Sequence, residues 1–238
     1  MSGAPRVLSA HALDIGGGEG LLADAAVFAE LDCRPASVAT SVIPGESLPL
    51  DLVARQLDDV QLAGPLAGAR IGFVAGESQA ELLAGFVRRA VPTTAVVAVP
   101  ARDAASARIE QETREAIRRH LFPAARVVVV RAAQLAVTAD RAIEDLEGLR
   151  RAAIQLREQG ARAVVVAGWL SRGRVIDLLD DDGRVVLLDT ARIHAPRVPG
   201  LAGAYAAALA GHLARGQCLS AAVEAAQRYI GFRLMRGR

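Results

Sequence analysis

Runs of Val, Ile and Ala that stay largely apolar recur along this chain at residues 70–74, 94–99, 126–130 and 163–166, and stretches with helical spacing lie between them. A strand that is apolar on both faces needs cover on both sides. In a βα alternation that cover is two helical layers flanking a mostly parallel sheet. Helical periodicity marks 21–31, 49–60, 78–89, 104–120, 201–215 and 219–233, and 138–159 reads as one long amphipathic helix ending at Gly160. Strand-like runs at 7–10 and 36–43 open the alternation, and 174–179 with 184–188 predict a hairpin around Asp182-Gly183. These patterns predict a three-layer α/β/α fold. With no linker, internal repeat or low-complexity stretch, one domain over 1–238 is expected.

Composition excludes several function classes. Apolar residues make up 52% of the chain but aromatics only 3%, so a substantial core must be built from aliphatic side chains and Ala. A net charge of +2 with both signs interspersed gives no electrostatic footprint for nucleic acid. No apolar run is long enough to span a bilayer and no signal-peptide pattern opens the chain, so a cytoplasmic protein without membrane association is expected. Cys33 and Cys218 lack metal-ligand spacing, as do His11 and His120, and no metal site is read. Asp180-Asp181-Asp182-Gly183 reads as a solvated turn. The chain contains neither Lys nor Asn. It therefore has no ammonium to neutralise a transferring phosphate and no asparagine carboxamide to help hold a metal shell.

One turn stands out chemically. Asp14-Ile-Gly-Gly-Gly-Glu-Gly lies between the first strand and the first helix. Glycines there bare the backbone N–H groups of a helix N-terminus, where an anion or polar ligand can sit. A turn that merely needs positive φ angles gives the same pattern, and both readings stay open.

Four segments carry a resemblance to a known family. Residues 14–24 are similar to its Asp-Pro-Ser-Gly-Gly-Ala-Gly-Ile-Gln-Ala-Asp, agreeing at Asp14, Gly17, Gly18, Gly20, Ala23 and Asp24. Ser37-Val38-Ala39-Thr40 is similar to Ser-Val-Ile-Thr, Arg70-Ile71-Gly72-Phe73 to Lys-Ile-Gly-Met, and 192–216 matches in spacing. The chain thus resembles the hydroxymethylpyrimidine/phosphomethylpyrimidine kinases of thiamine biosynthesis, which have a ribokinase-like fold. The resemblance implies ATP-dependent phosphorylation of a pyrimidine alcohol or its phosphate, ATP with Mg2+ as cofactors, a pyrimidine-like ligand and a homodimer. It puts Asp24 against the substrate ring, although an ordinary first-turn carboxylate is the alternative. Glu19 takes the place of a small pocket-lining Ala beside Gly18, Gly45 that of the Gln that reads the pyrimidine, and Phe73 that of the Met after the central Gly. The anion hole falls on Gly200, Leu201, Ala202 and Gly203.

The departures concern chemistry. The family's acid/base residue falls on Gly203, so no catalytic residue carries over. An Asp after the central strand becomes Val99, an Asn and a Glu become Ala132 and Leu135, and a Lys becomes Val166. Each such group commonly accounts for about 10²–10⁴ in rate, so weak or lost transfer is expected. Two alternatives remain: a kinase of another small alcohol, such as a pyridoxal-like compound, with Glu19 or Asp14 as base, or a non-catalytic ligand-binding, regulatory or structural subunit.

Overall fold

The computed structural model describes residues 3–43, 46–91, 93–99, 107–194, 198 and 200–236. Strands β1 (Arg6–Asp14), β2 (Arg34–Ile43), β3 (Glu46–Ser47), β4 (Gly68–Ile71), β5 (Ala95–Ala98), β6 (Val127–Arg131), β7 (Ala163–Ser171), β8 (Arg174–Asp181) and β9 (Arg184–Ala191) form one sheet in the order β3-β2-β1-β4-β5-β6-β7-β8-β9. From β2 through β7 every pairing is parallel, and β3, β8 and β9 add antiparallel edges. The helices are α1 (Gly20–Glu30), α2 (Leu50–Leu62), α3 (Glu77–Ala90), α4 (Ala107–Ala116), α5 (Ala132–Thr138), α6 (Leu146–Glu158), α7 (Leu201–Ala214) and α8 (Leu219–Arg236).

Strand alternation divides the core in two. Leu8, Ile71, Val97 and Val128 face a layer that includes α2, α3, α5 and α6, packing with Leu57, Leu83, Leu135 and Leu156. Val7, Val96, Val127 and Val165 face α1, α7 and α8, packing with Phe28, Leu209 and Val223. The three layers expected from the sequence are therefore present. Each fully buried Leu or Phe contributes about 1.5–3 kcal/mol of apolar burial. Among the described residues no helix is long and apolar enough to cross a membrane.

Local chemistry overrides periodicity in three places. The helix expected over 138–159 begins only at Leu146, because Thr138 ends a separate helix, α5, and Asp140 takes a left-handed φ of 50°. Asp145 then caps α6, its side chain accepting the Gly148 N–H at 2.6 Å. The helix expected over 104–120 begins, within the described residues, at Ala107; its last turn widens into a π-turn, Ile117–Leu121, followed by a 3-10 turn, Phe122–Ala124. The strand expected to end at Val166 runs on to Ser171 through an irregularity between Val166 and Trp169, where Gly168 has a φ of 79°. The β8–β9 hairpin turns as expected, with left-handed Asp182 and Gly183.

Candidate functional site

Sheet topology marks a crevice before any side chain is considered. From β1 the chain passes through α1 to β2 on one side, while β4 lies on its other side. The strand order reverses there, and ligands of open α/β sheets bind outside the carboxyl ends of the strands at such a point. The glycine loop leaves β1 at that end.

Asp14 builds the loop. Its Oδ1 accepts the Gly16 N–H at 2.9 Å, its Oδ2 the Glu19 N–H at 3.0 Å, and its carbonyl the Gly17 N–H at 3.0 Å. Its carboxylate is thus committed to the turn. Gly20 has a φ of 70°, and a side chain there would collide with the Ala12 carbonyl. Across the crevice Gly200, the left-handed N-cap of α7, packs so closely on the Gly18 carbonyl that a Cβ would not fit, and that Cβ position lies 3.8 Å from Glu19 Cγ. The structure therefore brings Gly18 and Glu19 together with the first turn of α7. Phe73 follows β4, and its carbonyl accepts a hydrogen bond from Thr40 Oγ1 at 2.7 Å rather than from the glycine loop. Gly45 lies outside the described residues.

Below the loop is a buried polar cluster drawn from three elements. Ser9 Oγ of β1 donates to Asp24 Oδ2 of α1 at 2.5 Å, and Arg70 Nη1 of β4 lies 3.1 Å from the same oxygen. The guanidinium makes no hydrogen bond to that carboxyl group through Nη1. Arg70 Nε and Nη1 have no hydrogen-bond partner. Gly72 makes room for the guanidinium and for the His11 ring, both of which a Cβ would strike. Burial pushes the Asp24 carboxyl up to about 8, opposed by the Ser9 hydrogen bond, and pushes the Arg70 guanidinium down to about 9. Asp24, expected against a ligand ring, is 1% exposed and satisfied from within. Sequence reasoning missed Ser9 and valued Arg70 only as a counterpart of the family Lys. The available signal was an Arg inside an otherwise apolar strand.

The positions where the resemblance implies chemical groups are occupied by buried aliphatic residues. Val166 and Leu135 are fully buried, Val99 and Ala132 nearly so. Trp169 is half-buried against the core on the α2 and α3 side. Tyr205, two residues past Gly203, is buried with its hydroxyl against the Asp177 side chain, and burial followed by the Asp177 charge raises its phenol well above the ordinary value. Asp177 Oδ1 in turn accepts the Gly168 N–H at 2.7 Å. His194 is exposed. Among the described residues no group of three or more His, Cys, Asp or Glu side chains is placed to hold a metal ion. A cavity of about 350 Å³, lined by Val99, Arg114, Arg118, Phe122 and Thr138 among others, lies between α4 and α5 on the opposite face of the sheet. It holds none of the loop's groups. The crevice itself can greet an anion with the backbone N–H groups of α7, but Gly203 offers no side chain to take a proton.

Comparison with known proteins agrees in sequence and in fold. The sequence profile of the family described as phosphomethylpyrimidine kinase matches residues 14–236. The hydroxymethylpyrimidine/phosphomethylpyrimidine kinase of Streptomyces coelicolor is 30% identical, over 95% of this chain and 87% of its own length. That of Haemophilus influenzae is 27% identical over 97% and 91%. Pyridoxal kinase from Staphylococcus aureus in complex with AMP-PCP superposes with a TM-score of 0.88 at 22% identity, covering 98% of this chain and 89% of that one. Phosphomethylpyrimidine kinase from Clostridium difficile 630 does so with a TM-score of 0.79 at 19% identity, covering 96% and 99%. At these identities the structural likeness shows the fold, a ribokinase-like one.

Proposed function

We propose, from the premise that this chain belongs to the phosphomethylpyrimidine kinase family, that it keeps the family's pyrimidine-binding cleft while phosphoryl transfer from ATP is very slow or lost. One observation carries this: the helix N-terminus that would face a reacting hydroxyl begins Gly200-Leu201-Ala202-Gly203, without a single acid or base. General-base catalysis needs an acceptor within hydrogen-bond reach of the proton it removes. Val166, Ala132 and Val99 put aliphatic side chains where the resemblance implies the Lys, Asn and Asp.

The residues present fit part of the cofactor pair. The N–H groups of α7's first turn suit the phosphate end of a nucleotide, and ATP would supply the transferable phosphoryl group. Val99, Ala132 and Leu135 carry no side-chain oxygen, so the positions implied for the Mg2+ shell do not fit a magnesium ion. Calorimetry against hydroxymethylpyrimidine and ATP tests the binding half of the proposal, and a coupled ADP-release assay the catalytic half. Pyrimidine binding without ADP release is expected. ADP release at ordinary kinase rates, about 1–100 s⁻¹, would contradict it.

Glu19 favours a second function. It is exposed, and its side chain reaches Gly200 at the mouth of the crevice, where it could act as the base of a kinase for another small alcohol such as a pyridoxal-like compound. Unchanged phosphorylation by Glu19→Gln would remove that role. Family membership also supports a homodimer of one-domain subunits in the cytoplasm. A concentration-independent monomer in sedimentation would remove the dimer and, with it, a purely structural role through self-association.

A further inference from the structure

Near its carboxyl end β7 breaks the alternation of its own side chains. Val164 and Val166 belong to the core under α2, α3, α5 and α6, whereas Val165 and Ala167 face α1, α7 and α8. Continued alternation would send Trp169 to the second of these faces. Its indole packs instead against the core that contains Val164 and Val166. The pairing with β8 shows why. Val166 lies opposite Leu178 and Trp169 opposite Ile176, so Ala167 and Gly168 together face the single residue Asp177. One extra residue in a strand turns the side chains that follow to the other face.

Asp177 holds this bulge. Gly168 takes a φ of 79°, and its N–H donates to Asp177 Oδ1 at 2.7 Å. A bulged residue loses its ladder partner, and here a carboxylate that is 2% exposed supplies one. Tyr205 of α7 and Gln227 of α8 lie beside the same carboxylate. Tyr205 stands one turn beyond Leu201, where α7 begins. A single side chain therefore ties the bulge to the helix whose first turn faces the crevice. Around Gly168 itself nothing lies within 4 Å of a Cβ position.

We propose that Asp177 is a positioning residue for a nucleotide: by holding the Gly168 N–H it keeps β7 bulged, which turns the Trp169 indole away from the α7 face and leaves the approach to the first turn of α7 clear. This rests on the reading above that the turn suits the phosphate end of ATP. A β7 without the bulge would place the bulkiest of side chains on the face where Tyr205 lies.

Trp169 is the sole tryptophan of the chain, so its fluorescence reports the bulge directly. The test compares the full-length wild type with Asp177→Ala, Asp177→Asn and the double variant Asp177→Ala/Trp169→Ala, using calorimetry against ATP and, separately, against hydroxymethylpyrimidine. In Asp177→Ala the emission should move to the red as the indole leaves the core. ATP should bind at least about tenfold more weakly, the scale of an overpacked contact, while the pyrimidine binds as before. Asp177→Asn keeps an acceptor oxygen for Gly168 and should retain both the emission and the ATP affinity. The double variant lacks the indole and should recover ATP binding. Should Asp177→Ala not fold, Gly168→Val serves instead: a β-branched residue is strained at positive φ and should remove the bulge, with the same three effects. Unmoved emission or undiminished ATP affinity in Asp177→Ala would overturn the role of Asp177 and leave the nucleotide reading standing, as would a double variant that stays weak. A wild type that does not bind ATP would overturn both.

Discussion

Asp24 ties a buried residue to a measurable pH dependence. Its carboxyl ionises near 3.8 when unperturbed and is held protonated up to about 8 in the folded chain, because burial penalises the charged form. Between those values the folded state binds the additional proton. The stabilising contribution is therefore full below about pH 3.8 and is lost as pH rises through about 8. Asp24→Asn cannot ionise, so the decline in stability between pH 4 and 8 should flatten when the variant is unfolded in urea; an unaltered slope would refute the assignment. Tyr205 makes a second residue-scale prediction. Its buried hydroxyl lies against the Asp177 side chain but makes no hydrogen bond of normal geometry, so Tyr205→Phe should change stability by less than about 1 kcal/mol. A loss beyond about 1 kcal/mol would mean that the hydroxyl is bonded. Neither property was readable in sequence. Asp24 matched a family motif, but Ser9 and Arg70 come from two other elements, and only the fold makes the three neighbours.

At the scale of elements, two glycines separate backbone strain from collision. Gly17 and Gly200 both sit at left-handed φ, 71° and 72°, yet only at Gly200 would a Cβ strike the Gly18 carbonyl, while around Gly17 the space is open. Gly17→Ala should cost about 1 kcal/mol and Gly200→Ala clearly more, with the β1–α1 loop displaced from α7. Equal costs in chemical denaturation would argue that loop and helix do not touch. Asp145→Ala should remove the cap of α6 and cost about 1 kcal/mol. That cap also explains why the helix expected over 138–159 begins only at Leu146. The apolar spacing continues through 139–145, but an Asp competing for backbone N–H groups starts a new helix there. Strands were easier to read, because Val-rich runs buried on both faces have few other places to go.

At the scale of the molecule, the three layers followed from alternation alone, since that pattern is local and repeated. The position of the crevice did not: it depends on β4 pairing beside β1 rather than beside β2, a long-range choice that no local spacing encodes. The proposed loss of catalytic groups is read residue by residue, at Val99, Ala132, Val166 and Gly203, and the fold adds that the first three are buried. Transfer chemistry therefore has little from which to be rebuilt. Rapid-quench single turnover with hydroxymethylpyrimidine and saturating ATP–Mg2+ tests this most directly. No phosphorylated pyrimidine above the uncatalysed background is expected over hours. Product forming at about 1 s⁻¹ or faster, as in working kinases, would contradict the loss of catalysis.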